Sequence, residues 1–68
     1  MNPLVSIITP SYNSAKFIAE TIQSVQNQTH QNWEMIIVDD GSSDETETVV
    51  LSIIENDNRI QFHKLSQN

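Results

Sequence analysis

The fold is decided by the stretch Ile36-Ile37-Val38-Asp39-Asp40-Gly41-Ser42-Ser43-Asp44. An apolar run ends abruptly in two carboxylates, which are followed by a glycine, two hydroxyls and a third acid. This order is typical of a buried strand, a loop and the start of a helix. Asp39 and Asp40 therefore leave the carboxyl end of a strand, which is where ligands bind in open α/β sheets. The alternative is a structural role, since Asp followed by Gly is also common turn and capping chemistry.

Two further strands and two helices are predicted around this stretch. Residues 4–9 are rich in β-branched side chains and are closed by Pro10, which cannot donate to a sheet and favours an extended residue before it. Residues 60–65 alternate apolar and polar side chains, as a half-buried strand does. Apolar residues spaced as on one helix face predict a helix over residues 15–28. Strand 33–38 ends apolar on both faces, as expected for a central parallel strand.

The predicted helices carry cap signals. Ser42 and Glu45 have the spacing of a capping box, a hydroxyl followed by an acid three residues later, so the second helix is predicted to begin there. It is expected to end near residues 56–58. Its predicted inward side chains are Val49, Val50, Ile53 and Ile54. Asn13 or Ser14, in the loop after the first strand, is expected to cap the first helix.

The predicted order is βαβαβ, an α/β fold. Right-handed crossovers place the three parallel strands in the order 3-2-1 and put both helices on one face of the sheet. The other face is then without cover, although strand 33–38 is apolar there as well. The chain has the pattern of half of a doubly wound, Rossmann-like domain, so residues 1–68 are predicted to be a single partial domain. An uncovered apolar face also raises the hypothesis that the chain forms a homo-oligomer.

Composition and charge exclude several classes of protein. Three basic residues against nine acidic ones give a formal net charge of −6 at pH 7, which opposes binding to nucleic acid and anionic membranes. Without Cys, neither a disulfide nor a thiolate metal site is available. A single Gly excludes a Gly-x-Gly-x-x-Gly or Walker phosphate loop. With no basic amino-terminal segment and no long apolar one, we expect neither a signal peptide nor a spanning helix, and a cytoplasmic location.

The chemistry at the predicted sheet edge suits a nucleobase. Tyr12 follows the first strand and Asp40 follows the second, and neighbouring strands lie about 5 Å apart. An aromatic ring stacks on a base, and a carboxylate accepts a hydrogen bond from N3–H of uracil or thymine or from the edge of guanine. Two alternatives to base binding stay open. In the first, Tyr12 has the structural role of covering the sheet edge. In the second, Asp39 and Asp40 hold Mg²⁺ or accept a phosphoryl group, as in receiver-type domains. A receiver, however, has its acidic pair after the first strand.

Three motifs occur in a recognisable order and spacing. They are residues 5–13 (VSIITPSYN), residues 24–29 (SVQNQT) and residues 34–46 (EMIIVDDGSSDET). Together they closely resemble the opening of the family-2 glycosyltransferases with a GT-A fold. The resemblance covers essentially the whole chain.

The resemblance implies an inverting transfer of a sugar from a nucleotide diphosphate sugar, expected to be a UDP-sugar, to an acceptor hydroxyl. It places Asp40 at the polar edge of the base, with Asp39 either sharing that role or fixing the loop. The residues that it places against the base after the first strand are Thr9, Pro10, Ser11 and Tyr12. The parent enzyme is expected in the cytoplasm or at the cytoplasmic face of a membrane, in cell-wall or polysaccharide synthesis.

Other parts of the family's machinery are expected beyond these 68 residues. Its metal-binding Asp-x-Asp, general base and acceptor-binding segments come later, so Mg²⁺ or Mn²⁺ is expected only in the full-length enzyme. Asn68 resembles the first residue of the Asn-x-Gly segment that usually follows the third strand. We therefore expect an N-terminal portion of an enzyme that is inactive alone, since transfer needs a metal for the diphosphate and a base for the acceptor. The alternative is a stand-alone nucleotide-recognition module.

Overall fold

The computed structural model describes residues 3–65 of the chain. Three strands alternate with two helices, which confirms the predicted βαβαβ order. In chain order the elements are β1 (Val5–Ser11), α1 (Ile18–Gln26), β2 (Trp33–Asp39), α2 (Thr46–Ile54) and β3 (Ile60–Lys64). Asn68, to which a motif role is assigned above, lies outside the described residues.

The three strands form one parallel sheet in the order β1-β2-β3, as right-handed crossovers predict. β2 lies in the centre, with Met35 opposite Ile7 of β1 and Ile60 of β3. At the carboxyl ends of the first two strands, Ser11 lies opposite Asp39. The loops that follow β1 and β2 therefore begin side by side.

β1 runs two residues further than predicted, through Pro10 to Ser11. The N–H of Val5 donates to the main-chain oxygen of Asn32 at 3.0 Å. The main-chain oxygen of Ser11 accepts from Asp40 N–H at 2.9 Å. Since successive residues of a strand direct their polar groups to opposite sides, Pro10 faces away from β2, along the open side of an edge strand. Proline has no ladder bond to lose there, so it does not end the strand.

Both helices pack on the same face of the sheet, as predicted. Alternate side chains of β2 are buried on that face, whereas those between them are half-buried. Ile22 of α1 and Val50 of α2 are fully buried in one cluster with Met35 of β2. The buried core cluster consists of Ile18, Ile22, Trp33, Met35, Ile37, Val50 and Ile60.

α1 is shorter at both ends than the predicted helix over residues 15–28, and it has no side-chain cap. Phe17 is its N-cap residue. The main-chain oxygen of Ser14 accepts from the N–H groups of Phe17 and Ile18, both at 2.8 Å. The predicted cap by the Asn13 or Ser14 side chain is therefore wrong, because both side chains bond to main-chain groups of the loops instead.

α2 begins at Thr46, and the predicted capping box of Ser42 and Glu45 does not form. The hydroxyl of Ser42 donates to Asp39 instead, at 2.5 Å. The N–H of Thr46 donates to Asp44 Oδ1 at 3.0 Å, so an acid two residues before the helix bonds to its first N–H. The predicted inward side chains are confirmed, since Val50 is buried and Val49, Ile53 and Ile54 pack against the core.

The opposite face of the sheet is uncovered in the part of the chain that the structure describes. Ile8 of β1 is 62% exposed, and Ile36 and Val38 of β2 are half-buried. Gln61 and His63 of β3 are exposed on the same face. Residues 3–65 therefore form one helical layer on one sheet.

Five side chains at the amino ends of the strands form what we call the amino-edge cluster, which the sequence analysis does not predict. The guanidinium carbon of Arg59 lies 3.8 Å from the ring centroid of Trp33. Arg59 Nε and Nη2 each donate to Asp57 at 2.9 Å. Arg59 Nη1 donates to the side-chain oxygen of Gln31 at 3.1 Å and to its main-chain oxygen at 3.0 Å. Gln26 of α1 donates to Asp57 at 3.0 Å. The cluster ties the turn before β3 to the start of β2 and the end of α1.

Candidate functional site

Two loops lie side by side at the carboxyl edge of the sheet. We call residues 12–17, after β1, the first loop, and residues 40–45, after β2, the second loop. The pairing of Ser11 with Asp39 brings them together, and the bond from Asp40 N–H to the Ser11 oxygen extends the pairing by one residue. This is the edge where the sequence predicts ligand binding.

Two of the six residues predicted to bind the nucleotide are exposed at this edge. They are Tyr12, which is 61% exposed, and Asp40. Thr9 is half-buried on the helix-covered face of β1, and Pro10 is exposed on the uncovered face. The structure thus brings Tyr12 and Asp40 together at the ends of adjacent strands, whereas a contact of Thr9 or Pro10 with the base stays a prediction.

The other two predicted residues, Ser11 and Asp39, are buried and bonded to each other where the loops meet. Asp39 Oδ1 accepts from the hydroxyls of Ser11, at 2.7 Å, and Ser42, at 2.5 Å. Asp39 Oδ2 accepts from the N–H of Ser42 at 2.8 Å. Burial raises the pKa of Asp39, but the bonds from Ser42 and Ser11 and the charge of Lys64 together hold the pKa below its ordinary value. Of the two roles left open for this ionised carboxylate, the geometry favours fixing the loop.

Asn13 joins the first loop to the second through its main chain and its side chain. Its N–H donates to Ser42 Oγ at 2.7 Å, and its side-chain oxygen accepts from the N–H of Ser43 at 2.8 Å. Asn13 has a φ of 48°, a left-handed conformation that asparagine tolerates better than most residues. Gly41 has a φ of 77°, a conformation that costs glycine little. Each loop therefore has a residue type that tolerates a positive φ at the position where the backbone requires one.

Thr46 makes a further connection between the loops from the first turn of α2. Its hydroxyl donates to Asp44 Oδ1 at 2.5 Å and accepts from Ser14 N–H at 2.8 Å. Asp44 Oδ2 accepts from the N–H of Ala15 at 3.2 Å. The hydrogen bond from the Thr46 hydroxyl, with those from main-chain amides, holds the pKa of Asp44 below its ordinary value. Asp44 thus serves both the start of α2 and the first loop.

The residues that connect the loops are not evident from the sequence pattern. Asn13 and Ser42 are predicted only as caps, and no role is predicted for Thr46. Serine and asparagine near a strand end do indicate side chains that bond to the main chain, which is the signal available. The partners are 29 and 32 positions apart, and no short-range spacing rule relates such positions.

The carboxyl edge is acidic, with Asp39, Asp40 and Asp44 in or beside the second loop. The groups that donate to Asp39 and Asp44 are hydroxyls and main-chain amides, which stabilise a negative charge without cancelling it. Among residues 3–65, no three His, Cys, Asp or Glu side chains are grouped so that they could hold a metal ion. The edge by itself therefore suits the uncharged base of a nucleotide better than its phosphates.

Comparison with known proteins identifies the family. A family model described as "Glycosyl transferase family 2" matches residues 6–68. This chain belongs to glycosyl transferase family 2. The prediction made from the three motifs is thereby confirmed, and the matched region contains both loops of the site.

The relatives of this family-2 chain are much longer proteins. A Bacillus subtilis glycosyltransferase named for teichuronic acid biosynthesis, TuaG, is 48% identical over 66 residues, which are 97% of this chain and 26% of TuaG. The GalNAc(5)-diNAcBac-PP-undecaprenol beta-1,3-glucosyltransferase of Campylobacter jejuni is 39% identical over 66 residues, which are 97% of this chain and 21% of that protein. The chain therefore spans about a quarter or less of the length of these relatives.

A solved structure shares the fold of the family-2 chain. It is the mannosyltransferase PcManGT from Pyrobaculum calidifontis in complex with GDP-Man and Mn²⁺, with a TM-score of 0.87 and 25% sequence identity. The match covers 100% of this chain and 21% of the mannosyltransferase. The βαβαβ unit is therefore part of a Rossmann-like GT-A fold, as predicted.

Proposed function

We propose that residues 1–68 form the N-terminal donor-binding portion of an enzyme that transfers a sugar from a nucleotide diphosphate sugar to an acceptor hydroxyl. The observation that carries the proposal is the exposed pair Tyr12 and Asp40, an aromatic ring and an acid at the ends of adjacent strands. Membership of glycosyl transferase family 2 supports the reaction class. In this proposal residues 1–68 are a single partial domain, and a longer polypeptide supplies the rest.

In the proposed complex the base stacks on Tyr12, and Asp40 accepts a hydrogen bond from its polar edge. Uracil offers one N–H group for this hydrogen bond, N3–H, so we propose that the sugar is transferred from a UDP-sugar. A GDP-sugar is the competing substrate, because guanine also offers N–H donors and PcManGT is in complex with GDP-Man. Ser11 and Asp39 are buried and bonded to each other, so they support the pocket from within the fold.

The full-length protein is proposed to use a divalent cation, Mg²⁺ or Mn²⁺. The family membership and the Mn²⁺ in the PcManGT complex support this proposal. The residues described here do not fit such an ion, since no group of three or more possible ligands is present between residues 3 and 65. We therefore place its ligands, and the general base, outside this segment. The 68-residue chain on its own is expected to have no transferase activity.

Nucleotide titration of the full-length protein tests the proposal. We expect saturable UDP binding in the presence of Mn²⁺. Asp40→Asn should weaken this binding by roughly 1–3 kcal/mol, because a charge-assisted hydrogen bond is lost. Tyr12→Ala should weaken it by a similar amount, roughly 1–3 kcal/mol, because the stacking ring is lost, whereas Tyr12→Phe keeps the ring and most of the affinity. Isothermal titration calorimetry measures these affinities, with Glu55→Gln, an exposed acid after α2, as the control.

Three results would change the proposal. Unchanged UDP affinity in both Asp40→Asn and Tyr12→Ala would show that the pocket is placed wrongly. Tighter binding of GDP than of UDP would show that the site prefers guanine and that the substrate is a GDP-sugar. Saturable UDP binding by the 68-residue chain, together with no sugar transfer by the full-length protein, would support a stand-alone nucleotide-recognition module instead.

A second proposal concerns the 68-residue chain on its own, which we expect to self-associate through its uncovered sheet face. Ile8 is 62% exposed there and lies opposite the half-buried Ile36, so contact with a second copy would remove apolar surface from water. Sedimentation velocity should show a dimer or larger species, and Ile8→Asp should shift it to monomer. A folded monomer at every concentration of the unchanged chain would refute the proposal.

We propose that the full-length protein acts in the cytoplasm or at the cytoplasmic face of a membrane. Neither helix in residues 3–65 has the length and apolar character needed to cross a membrane. The name of the Campylobacter jejuni relative includes undecaprenol, an isoprenoid lipid, which supports work at a membrane surface. Cell fractionation tests the proposal, and recovery of the protein outside the cytoplasmic and membrane fractions would contradict it.

A further inference from the structure

We propose that Ser42 and Thr46 are positioning residues of the nucleotide site. Their hydroxyls tie the first loop to the second and thereby hold Tyr12 in place, without touching the nucleotide. The inference rests on the proposed function, because it concerns the affinity of the pocket formed by Tyr12 and Asp40.

Ser42 connects a buried acid with an amide of the first loop. Its hydroxyl donates to Asp39 Oδ1 at 2.5 Å and accepts from Asn13 N–H at 2.7 Å. Its own N–H donates to the other oxygen of Asp39 at 2.8 Å. Ser42 is thus fixed at two points on a buried carboxylate, and it fixes Asn13 at a third. Since Asn13 directly follows Tyr12, this connection ends one residue from the proposed stacking ring.

Thr46 makes the same two kinds of hydrogen bond as Ser42, with a different acid and with the next amide of the first loop. Its hydroxyl donates to Asp44 Oδ1 at 2.5 Å and accepts from Ser14 N–H at 2.8 Å. Thr46 is fully buried, so any effect of its hydroxyl on a bound nucleotide has to pass through the loop. The two hydroxyls therefore hold successive amides of the first loop, those of Asn13 and Ser14.

Both positions require a hydroxyl because it donates and accepts at the same time. In each case the hydrogen goes to a carboxylate and the oxygen receives a main-chain N–H. A carboxylate polarises the hydroxyl and so strengthens its bond to the amide. Ala at Ser42 or Val at Thr46 would leave an amide of the first loop and an acid without that partner.

The position of Tyr12 depends on these bonds more than on packing. The residue is 61% exposed, so the core does not hold its ring. The residue before it, Ser11, is bonded to Asp39, and the residue after it, Asn13, is bonded to Ser42. The bond from Asn13 N–H to Ser42 is one of two that hold Asn13 to the second loop, so its loss loosens one side of Tyr12 and should reduce the time that its ring spends in the stacking position.

Matched pairs of variants in the full-length protein test the inference by UDP titration. Ser42→Ala should lower the affinity about three- to tenfold, the effect expected for one lost hydrogen bond, whereas Ser43→Ala, at an exposed neighbour, should change it less than about twofold. Thr46→Val should behave like Ser42→Ala, and Thr48→Val, at an exposed site of the same helix, should behave like Ser43→Ala. Thr46→Ser keeps the hydroxyl and should restore most of the affinity.

A double-mutant cycle separates positioning from a general loss of stability. If Ser42 acts through Tyr12, Ser42→Ala should add little to the loss already caused by Tyr12→Ala. If Ser42→Ala only weakens the fold, the two losses of affinity should add. Thermal unfolding of each variant, measured on the same samples, gives the change in stability directly.

The outcomes distinguish the two proposals. Reduced UDP affinity in Tyr12→Ala combined with unchanged affinity in Ser42→Ala and Thr46→Val would overturn this inference alone. Additive losses in the double mutant would overturn it as well. Unchanged affinity in Tyr12→Ala and Asp40→Asn would overturn the proposed pocket and the inference together.

Discussion

Each edge of the sheet has a carboxylate that accepts several hydrogen bonds, but the donors differ in charge. At the amino edge Asp57 accepts from the guanidinium of Arg59, with the closest ion-pair contact at 2.9 Å. At the carboxyl edge Asp39 accepts from the hydroxyls of Ser11 and Ser42 and from a main-chain amide. A cation cancels the charge of its partner, whereas neutral donors stabilise a charge and leave it in place.

The difference suits the amino edge to stability and, under the proposed function, the carboxyl edge to a ligand. The bonds from Arg59 hold the pKa of Asp57 well below its ordinary value, and neutral donors with help from Lys64 do the same for Asp39. Both acids are therefore ionised at neutral pH. The amino edge is closed by an ion pair stacked on a buried tryptophan, while the carboxyl edge keeps its acidity next to the exposed Tyr12. Substitutions confined to one edge should therefore affect either stability or binding more strongly.

The largest effect is expected when the amino edge is broken at its aromatic side chain. Trp33 is fully buried under Arg59, so Trp33→Ala should lower the free energy of unfolding by about 3–5 kcal/mol. Phe17→Ala removes an aromatic side chain near the other edge that is 65% exposed. This change should alter the free energy of unfolding by no more than about 0.5 kcal/mol. Urea unfolding followed by circular dichroism measures both. Similar losses in the two variants would show that Trp33 does not anchor the amino edge.

The second prediction separates the two acids by function. Asp39→Asn places an amide opposite the N–H of Ser42, so one bond is lost, and the free energy of unfolding should fall by about 1.5–3 kcal/mol. UDP affinity of the full-length protein should fall as well, because both loops depend on this residue. Asp57→Asn should reduce stability, since Arg59 loses its charged partner, but should leave UDP affinity unchanged. Thermal unfolding and calorimetric titration of the same samples provide the two measurements.

The contrast fails if the two variants behave alike. Reduced UDP affinity in Asp57→Asn would mean that the amino edge also controls the nucleotide site. Unchanged affinity in Asp39→Asn would mean that the loops keep their position without this carboxylate. Either result would remove the distinction between a stabilising edge and a binding edge.

The architecture could be predicted from the sequence because its signals are local. The apolar run at residues 36–38 marks the central strand, and the spacing of Ile18, Ile22 and Val25 marks a helix face. Chirality then fixes the strand order and the position of both helices. The family likewise follows from three continuous motifs, each of which lies in a single part of the chain.

The details that failed are those in which tertiary contacts override a local rule. Pro10 ends a strand by propensity, yet it sits on the open side of an edge strand, where a missing N–H is harmless. Ser42 has the spacing of a cap, but its oxygen accepts from the N–H of Asn13 instead of a helix N–H, while its hydroxyl donates to Asp39. The amino-edge cluster joins Gln26 and Trp33 to the turn before β3, and no periodic pattern relates those positions.

The position of the candidate site could be predicted from the sequence, but the hydrogen bonds that connect its two loops could not. Strand ends located Tyr12 and Asp40 at one edge. The roles of Asn13, Ser42 and Thr46 depend on hydroxyl and amide directions, which follow only from folded loops. Sequence reasoning therefore placed two exposed residues at this edge and missed the residues that connect its loops.

The third prediction is that acid destabilises both edges in the same pH range. The pKa values of Asp39, Asp44 and Asp57 lie below the ordinary 3.8. The folded state therefore binds protons less readily than the unfolded state, so the stabilisation from these acids is complete above about pH 4 and is lost as the pH falls further. Urea midpoints should be nearly constant from about pH 7 to 5 and fall steeply below about pH 4. Asp39→Asn and Asp57→Asn should each flatten that fall, and Glu55→Gln should not.

The smallest effect is expected at Lys64, a cation beside the otherwise neutral donors to Asp39. Its Nζ lies 3.2 Å from Glu47 Oε1, and the two side chains are 50% and 44% exposed, so Lys64→Gln should change stability at pH 7 by less than about 0.5 kcal/mol. Lys64 also lies opposite Asp39, and its charge helps to lower the pKa of that acid. Lys64→Gln should therefore slightly flatten the fall of stability in acid, because the pKa of Asp39 in the folded protein moves closer to its ordinary value.

Glu47→Gln is the matched control, because it breaks the same ion pair and leaves the charge of Lys64 beside Asp39. It should keep the acid profile of the unchanged protein. Identical profiles for Lys64→Gln and Glu47→Gln would show that Asp39 does not sense Lys64. In that case the hydroxyls of Ser42 and Ser11 and the Ser42 amide alone keep Asp39 ionised, and the contrast with the arginine-paired Asp57 becomes complete.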